Sequence, residues 1–187
     1  MICNTFTKED FKEIEESRKI GKVQYYYVRF NVKEVEGGLI QAVEAEIPHY
    51  PTEEDIELLY STYISTLKKG KIVQVKEYDK SDAVNKFIIN GDAVWMDKDT
   101  RMGIVGGIRA QKEEGATTVS VMFGNTWYDI PVEDALGILN TVEIYAMACF
   151  KRTSEHIAAI EELQTIDAVS EYDFTTGYPK VEEFVIE

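Results

Sequence analysis

Two hydrophobic periods run along the chain, and each switch between them marks an element boundary. Over VQYYYVRFNVKEV, residues 23–35, Tyr25, Tyr27 and Phe30 or Val32 alternate with polar neighbours, the period of two expected of a half-buried strand. Glu36-Gly37-Gly38 follows, and its glycines accept the positive φ that a tight hairpin turn requires. LIQAVEAEI then resumes the alternation through Ile40, Ala42 or Val43, Ala45 and Ile47, until Pro48 and Pro51 stop it. Thr52, with Asp55 three positions on, caps a helix over about 53–69. Ile56, Leu59, Tyr60, Tyr63, Ile64 and Leu67 fall on one face of that helix, and Gly70 is expected to end it.

Ahead of the hairpin, residues 7–20 read as a short helix, with Thr7 as cap, Asp10 at the capping-box position and Phe6, Phe11, Ile14 and Ile20 as a patchy apolar stripe. After Gly70, KIVQV alternates weakly and EYDKSDAVN is polar. Residues 71–85 are therefore expected to form a strand and loop joining two halves.

The second half repeats the plan. Residues 86–90 and 92–96 form strands around Asn90-Gly91, a strong hairpin signal. Asp97 or Asp99 caps a helix running to Glu114 and ended by Gly115. Residues 117–123 and 126–130 flank a second hairpin turn at Gly124-Asn125. Pro131 stands at a favourable first position for the last helix, with Glu133 and Asp134 matching the positive end of its dipole. The class implied is α+β: antiparallel hairpins, each followed by a helix, in two sub-domains of residues 1–76 and 77–187.

That last helix, Val132 to Leu163, spans 32 residues, or about 48 Å if unbroken. With Val132 at heptad position a, the a and d places hold Val132, Ala135, Leu139, Val142, Ala146, Cys149, Thr153, His156, Ile160 and Leu163. Two arrangements fit. The helix lies across its own sheet, or its distal half, carrying Thr153 and His156, projects and pairs with another chain. A break near Lys151-Arg152 removes the distinction. The segment EYDFTTGYPKVEEFVIE that follows is expected to pack back through Tyr172, Phe174 and Tyr178.

Composition narrows the chemistry. The 187 residues are 44% hydrophobic and 11% aromatic, enough for a packed core. No apolar run approaches the ~18 residues of a membrane span, and the first residues lack the order of a secretory signal, so a cytosolic protein is expected. The net charge of −14 is uneven: residues 1–76 carry 11 basic and 13 acidic side chains, residues 77–187 carry 9 and 21. That field disfavours phosphate backbones and anionic membranes, and favours contact with basic or neutral protein surfaces. Cys3 and Cys149 are too few for a disulfide framework.

With only His49 and His156, the supply for zinc binding or proton shuttling is thin. Cys149 and His156 share a helix face but lie about 10 Å apart along it, too far for an activated thiolate. Asp97-Lys98-Asp99-Thr100-Arg101 departs from a calcium loop at its fifth, sixth and twelfth places. Gly103, Gly106 and Gly107 fit neither phosphate-binding spacing. The expectation is no catalytic residue, no metal and no cofactor.

Aromatic residues crowd the strands. In Tyr25-Tyr26-Tyr27, alternation sends Tyr26 to the face opposite its neighbours, so one set is exposed if helices cover one side only. The candidate interface residues are Tyr26, Trp127, Thr153, His156 and Tyr178. Exposed Tyr and Trp suit a protein interface or sugar stacking.

Residues 77–180 carry Val84-Asn85-x-Phe87, the Asn90-Gly91 turn, Trp95-Met96-Asp97-Lys98-x-Thr100-Arg101 and Asp173-Phe174-Thr175-x-Gly177-Tyr178-Pro179. This set resembles a domain of unknown function found in phages and prophages of gut anaerobes. A more distant branch is similar to the C-terminal part of tail-fibre assembly proteins. The resemblance implies a place, the tail or tail-fibre module, and no chemistry. The expected partners are other tail or tail-fibre proteins, with self-association through the long helix and no nucleic acid or membrane. The expected location is the host cytoplasm during assembly, or the virion tail. A carbohydrate-binding module using Tyr26 or Trp127 is the alternative, and a small hydrolase a more remote one.

Overall fold

The computed structural model describes residues 1–186, and the fold is α+β. The chain divides into two compact units, residues 1–71 with 162–172, and residues 72–161 with 173–187. The division falls a few residues before the expected boundary at 76/77, and it returns residues 162–172 to the first unit.

The first unit holds a four-stranded antiparallel sheet of β1 (Ile2–Phe6), β2 (Ile14–Ile20), β3 (Val23–Val35) and β4 (Leu39–Ile47), in the order β1-β4-β3-β2. A single 3-10 turn at Glu36–Gly38 joins β3 to β4 where the hairpin was expected. The first turns of α1 (Glu53–Asp79) and the short α4 (Ile166–Glu171) cover one face. Phe30, Val43, Ala45, Ile64, Ile166 and Val169 form the core, and Tyr60 and Tyr63 meet the Phe30 ring edge-on at 6.1 and 6.0 Å. The capping box is reciprocal as expected: Thr52 N donates to Asp55 Oδ2 at 2.8 Å, and Asp55 N to Thr52 Oγ1 at 3.3 Å.

The expected helix over 7–20 is instead one turn, a short connection and then β2 (Ile14–Ile20). Its cap exists, with Asp10 N donating to Thr7 Oγ1 at 3.1 Å, but it closes only one turn, ending where Phe11 N reaches Thr7 O. Tertiary pairing overrides the local signal. Ile14 to Ile20 hydrogen-bond to β3, and the sheet face opposite α1 offers Arg29 to that segment. Arg29 is buried there between Glu15 and Glu44, at 2.9 and 2.8 Å, under the Phe6 ring at 4.4 Å, and it donates to Lys12 O at 2.7 Å.

A bulge between Phe30 and Lys33, with Asn31 at φ 52, changes the parity of β3. Phe30 and Lys33 consequently face the same helical layer, where Lys33 Nζ meets the Asp167 carboxylate on α4. That partner raises the lysine's affinity for its proton.

Gly70 does not end α1, which continues to Asp79, so the expected strand over 71–75 is helix. The burial repeats at Ile72, Val75 and Tyr78–Asp79, a helical spacing that outweighs the roughly 1 kcal/mol cost of one internal glycine.

The second unit contains β5 (Phe87–Ile89), β6 (Asp92–Val94), α2 (Lys98–Glu113), β7 (Thr118–Phe123), β8 (Thr126–Pro131), α3 (Val132–Glu162) and β9 (Glu183–Phe184). Both expected hairpins form, β5–β6 and β7–β8. The last segment adds β9 parallel to β5, an exception to the antiparallel scheme. Phe87, Ile89, Val121, Phe123, Ile130, Leu139 and Val142 are central in its core.

α3 runs unbroken for 31 residues. Every a and d position from Val132 to Ile160 is buried except Ala146, whose place is taken by Tyr145. The heptad seam therefore serves the unit's own core. The reading in which Thr153 and His156 project towards another chain is overturned, because both are buried.

Candidate functional site

Thr153, His156 and Tyr178, three of the five candidate interface residues, meet in one polar cluster. Thr153 Oγ1 donates to Asp79 Oδ1 at 2.6 Å and lies 2.9 Å from the Tyr178 hydroxyl. Tyr178 packs edge-on to Tyr78 at 5.5 Å, and Tyr78 meets Phe174 at 5.8 Å, so the last segment returns through the expected aromatic residues. His156 Nε2 lies 3.0 Å from Thr176 O, which assigns its proton to that nitrogen. The imidazole is 1% exposed, and burial lowers its affinity for a second proton.

On the same helix, burial pushes the Cys149 thiol up, and the Tyr145 hydroxyl donates to Val84 O at 2.7 Å. A protonated thiol, a neutral imidazole and no access from solvent make a structural cluster. It orders the chain and presents no nucleophile.

Gly177 explains the Asp173–Pro179 motif. It sits at φ 79, and a Cβ there would lie 2.5 Å from Arg152 Nε. The positive φ favours glycine here, and its hydrogen leaves room for the guanidinium to donate to Thr176 O at 3.1 Å. Asp173 Oδ1 takes the Thr175 N–H at 2.8 Å, closing the turn.

The Trp95–Arg101 motif is a clamp between α2 and α3. Asp97 caps α2, accepting from Thr100 N at 2.9 Å and from Thr100 Oγ1 at 2.7 Å, and these bonds lower its carboxyl pKa. Buried Arg101 reaches Glu143 on α3 at 2.9 Å through both Nε and Nη2, donates to Met96 O and stacks over the Trp95 ring at 5.2 Å.

Beside this clamp the outward face of α3 is apolar. Ile144, Met147 and Phe150 are 69%, 64% and 70% exposed, and none of the described residues covers them. A groove of about 800 Å³ runs along Met147 and Phe150, lined also by Lys98, Arg101, Glu143 and Lys151. Three adjacent large apolar side chains at this exposure mark an interaction surface far more often than isolated ones do.

Sequence reasoning missed this ridge by spending the helix's hydrophobicity on its a and d seam. The signal was present: once that seam is assigned to the core, an apolar residue still recurs at 144, 147 and 150.

The two remaining candidates lie elsewhere. Trp127 is 66% exposed on the outer face of the β7–β8 hairpin, opposite Met122, and borders a second groove of about 420 Å³ with Gly107, Gln111 and Ser120. Tyr26 is half-buried on the helix-covered face of its sheet, edge-on to exposed Tyr50 at 5.4 Å. Alternation does separate it from Tyr25 and Tyr27, as expected, and those two carry the Arg18 and Arg29 guanidinium groups on the opposite face.

Among the described residues, no group of three or more His, Cys, Asp or Glu is placed to hold a metal ion, and no helix is long and apolar enough to cross a membrane. No protein-family model, curated protein or solved structure matches the chain.

Proposed function

We propose that this chain is a non-enzymatic bacteriophage tail-module protein that works by docking polypeptides, as a virion adaptor or as a tail-fibre assembly chaperone. The observation that carries the docking reading is the ridge of Ile144, Met147 and Phe150 beside the Arg101–Glu143 clamp. Those side chains contribute nothing to the unit's own core, so their exposure costs solubility with no return in stability. The place, a phage tail, rests on the motif set in residues 77–180, whose members cap, turn and clamp this same unit. The motif residues Asp97, Arg101 and Gly177 hold the scaffold, and the ridge is the working surface.

Mass spectrometry of purified phage particles tests the placement and separates its two forms. A virion component is present at fixed copy number. A chaperone is missing from particles but co-purifies with the tail-fibre product before assembly. A chain found in neither fraction overturns the tail-module reading.

Trp127 supports a second reading, carbohydrate binding, because its indole is exposed beside a groove that carries the polar groups of Gln111 and Ser120. A glycan array decides it: binding lost in Trp127→Ala supports the reading, and an array without hits ends it.

A further inference from the structure

We infer that the occupant of the α3 ridge is a second copy of the same chain, docked antiparallel about a two-fold axis at Met147. This rests on reading that face as a docking surface, and it is independent of the tail assignment.

The argument is the symmetry of the exposed face. Ile144 and Phe150 stand three residues on either side of Met147, and Glu143 and Lys151 stand four on either side. The face thus reads acid, apolar, apolar, apolar, base, with Met147 at its centre. An isologous interface requires a surface complementary to itself. Reversing a second α3 about Met147 sets Ile144 level with the partner copy's Phe150, and Glu143 level with the partner copy's Lys151. A parallel copy would set like charges level instead, which is unfavourable.

Both ends have capacity for this contact. Arg101 makes its two contacts to Glu143 through Oε2 alone, leaving Oε1 for a second cation. Lys151 is 79% exposed, and its bond to Glu155 is long at 3.8 Å, so little is lost when it turns to a partner.

The net charge of −14 opposes self-association in general, but this face is an exception. Three of the nine basic residues in 77–187 (Lys98, Arg101 and Lys151) line the groove beside it. Opposite signs are therefore mixed here, and distant repulsion is screened beyond about 8 Å at physiological salt.

The test uses the full chain. Sedimentation or light scattering between 1 and 100 µM, concentrations on the order of those that populate a micromolar dimer, is expected to show a mass approaching twice 21.3 kDa. Met147→Glu, which places two carboxylates at the axis, and Phe150→Asp are each expected to weaken dimerisation by more than tenfold. Both side chains are exposed, so an unchanged circular dichroism spectrum confirms that the fold survives.

Register is read by cysteine cross-linking in a Cys3→Ser background. Met147→Cys is expected to give a disulfide-linked dimer on mild oxidation. Ser154→Cys is expected to give none, because an antiparallel pair centred on Met147 separates the two 154 positions by roughly 20 Å along the axis. Three results each overturn the proposal: a monomer throughout the range, a dimer indifferent to Met147→Glu and Phe150→Asp, and cross-linking at 154. A strictly monomeric chain would still leave the tail placement open to its own test on particles.

Discussion

Gly177→Ala is expected to destabilise the second unit by about 1.5–3 kcal/mol, through two costs that can be measured apart. The first is conformational: at φ 79 an L-residue occupies the left-handed region, at a cost of roughly 1–2 kcal/mol. The second is steric, since the new Cβ would lie 2.5 Å from Arg152 Nε and force the guanidinium off Thr176 O. Arg152 is about one-third exposed and its guanidinium can swing aside into water, so losing that bond costs only roughly 0.5–1 kcal/mol. A double-mutant cycle with Arg152→Ala isolates the second cost. In that background Gly177→Ala retains only the conformational cost.

Urea denaturation followed by tryptophan fluorescence is the assay. The chain has two tryptophans, Trp95 and Trp127, and both lie in the second unit, so the signal reports that unit even if the first melts separately. Equal penalties for Gly177→Ala with and without Arg152 would refute the reasoning, because the close approach would then contribute nothing.

Other expectations follow from the same packing. Arg101→Met leaves the Glu143 carboxylate and Met96 O without their buried donor. It should cost about 2–4 kcal/mol in the same assay, and Arg101→Lys should not restore the loss, since one ammonium cannot reproduce the forked contact. Leu139→Ala, at a site almost wholly closed to solvent, should cost about 2–5 kcal/mol and lower the urea midpoint with little change in slope. For His156, burial holds the folded pKa below the ordinary 6.5, so the unfolded chain takes up the proton first. Its contribution to stability is complete above about pH 6.5 and is lost as pH falls towards the folded pKa. His156→Gln should therefore flatten the decline of stability below that pH, and parallel wild-type and variant curves would contradict it.

Local signals carried much of the fold. The glycine turns at 37–38, 90–91 and 124–125 fixed three hairpins, and the Thr52–Asp55 and Asp97–Thr100 caps placed two helix starts. Wherever distant partners decided, those signals failed. Thr7 and Asp10 form the cap the sequence announces, yet Arg29, many residues away, holds the following segment as strand. β9 is two residues long and parallel to a strand nearly a hundred positions earlier, and no local pattern encodes that pairing. The candidate residues divide the same way. Trp127 is exposed as its strand position allowed, but Thr153 and His156 are polar residues on a buried seam, made tolerable by Asp79, Tyr178 and Thr176. The ridge at 144, 147 and 150 was visible in the sequence only after the inward stripe had been subtracted.

The bookkeeping of the two units along the chain bears on biosynthesis. Residues 72–161 interrupt the first unit, whose closing piece, 162–172, is encoded after almost all of the second, and the second in turn waits for 173–187. A ribosome therefore releases Phe30, Val43 and Ile64 long before Ile166 and Val169 arrive to seal them. Each half-built body must hold its greasy surface in check until those later segments emerge, so stop codons placed just after residue 161 should leave both halves prone to clumping.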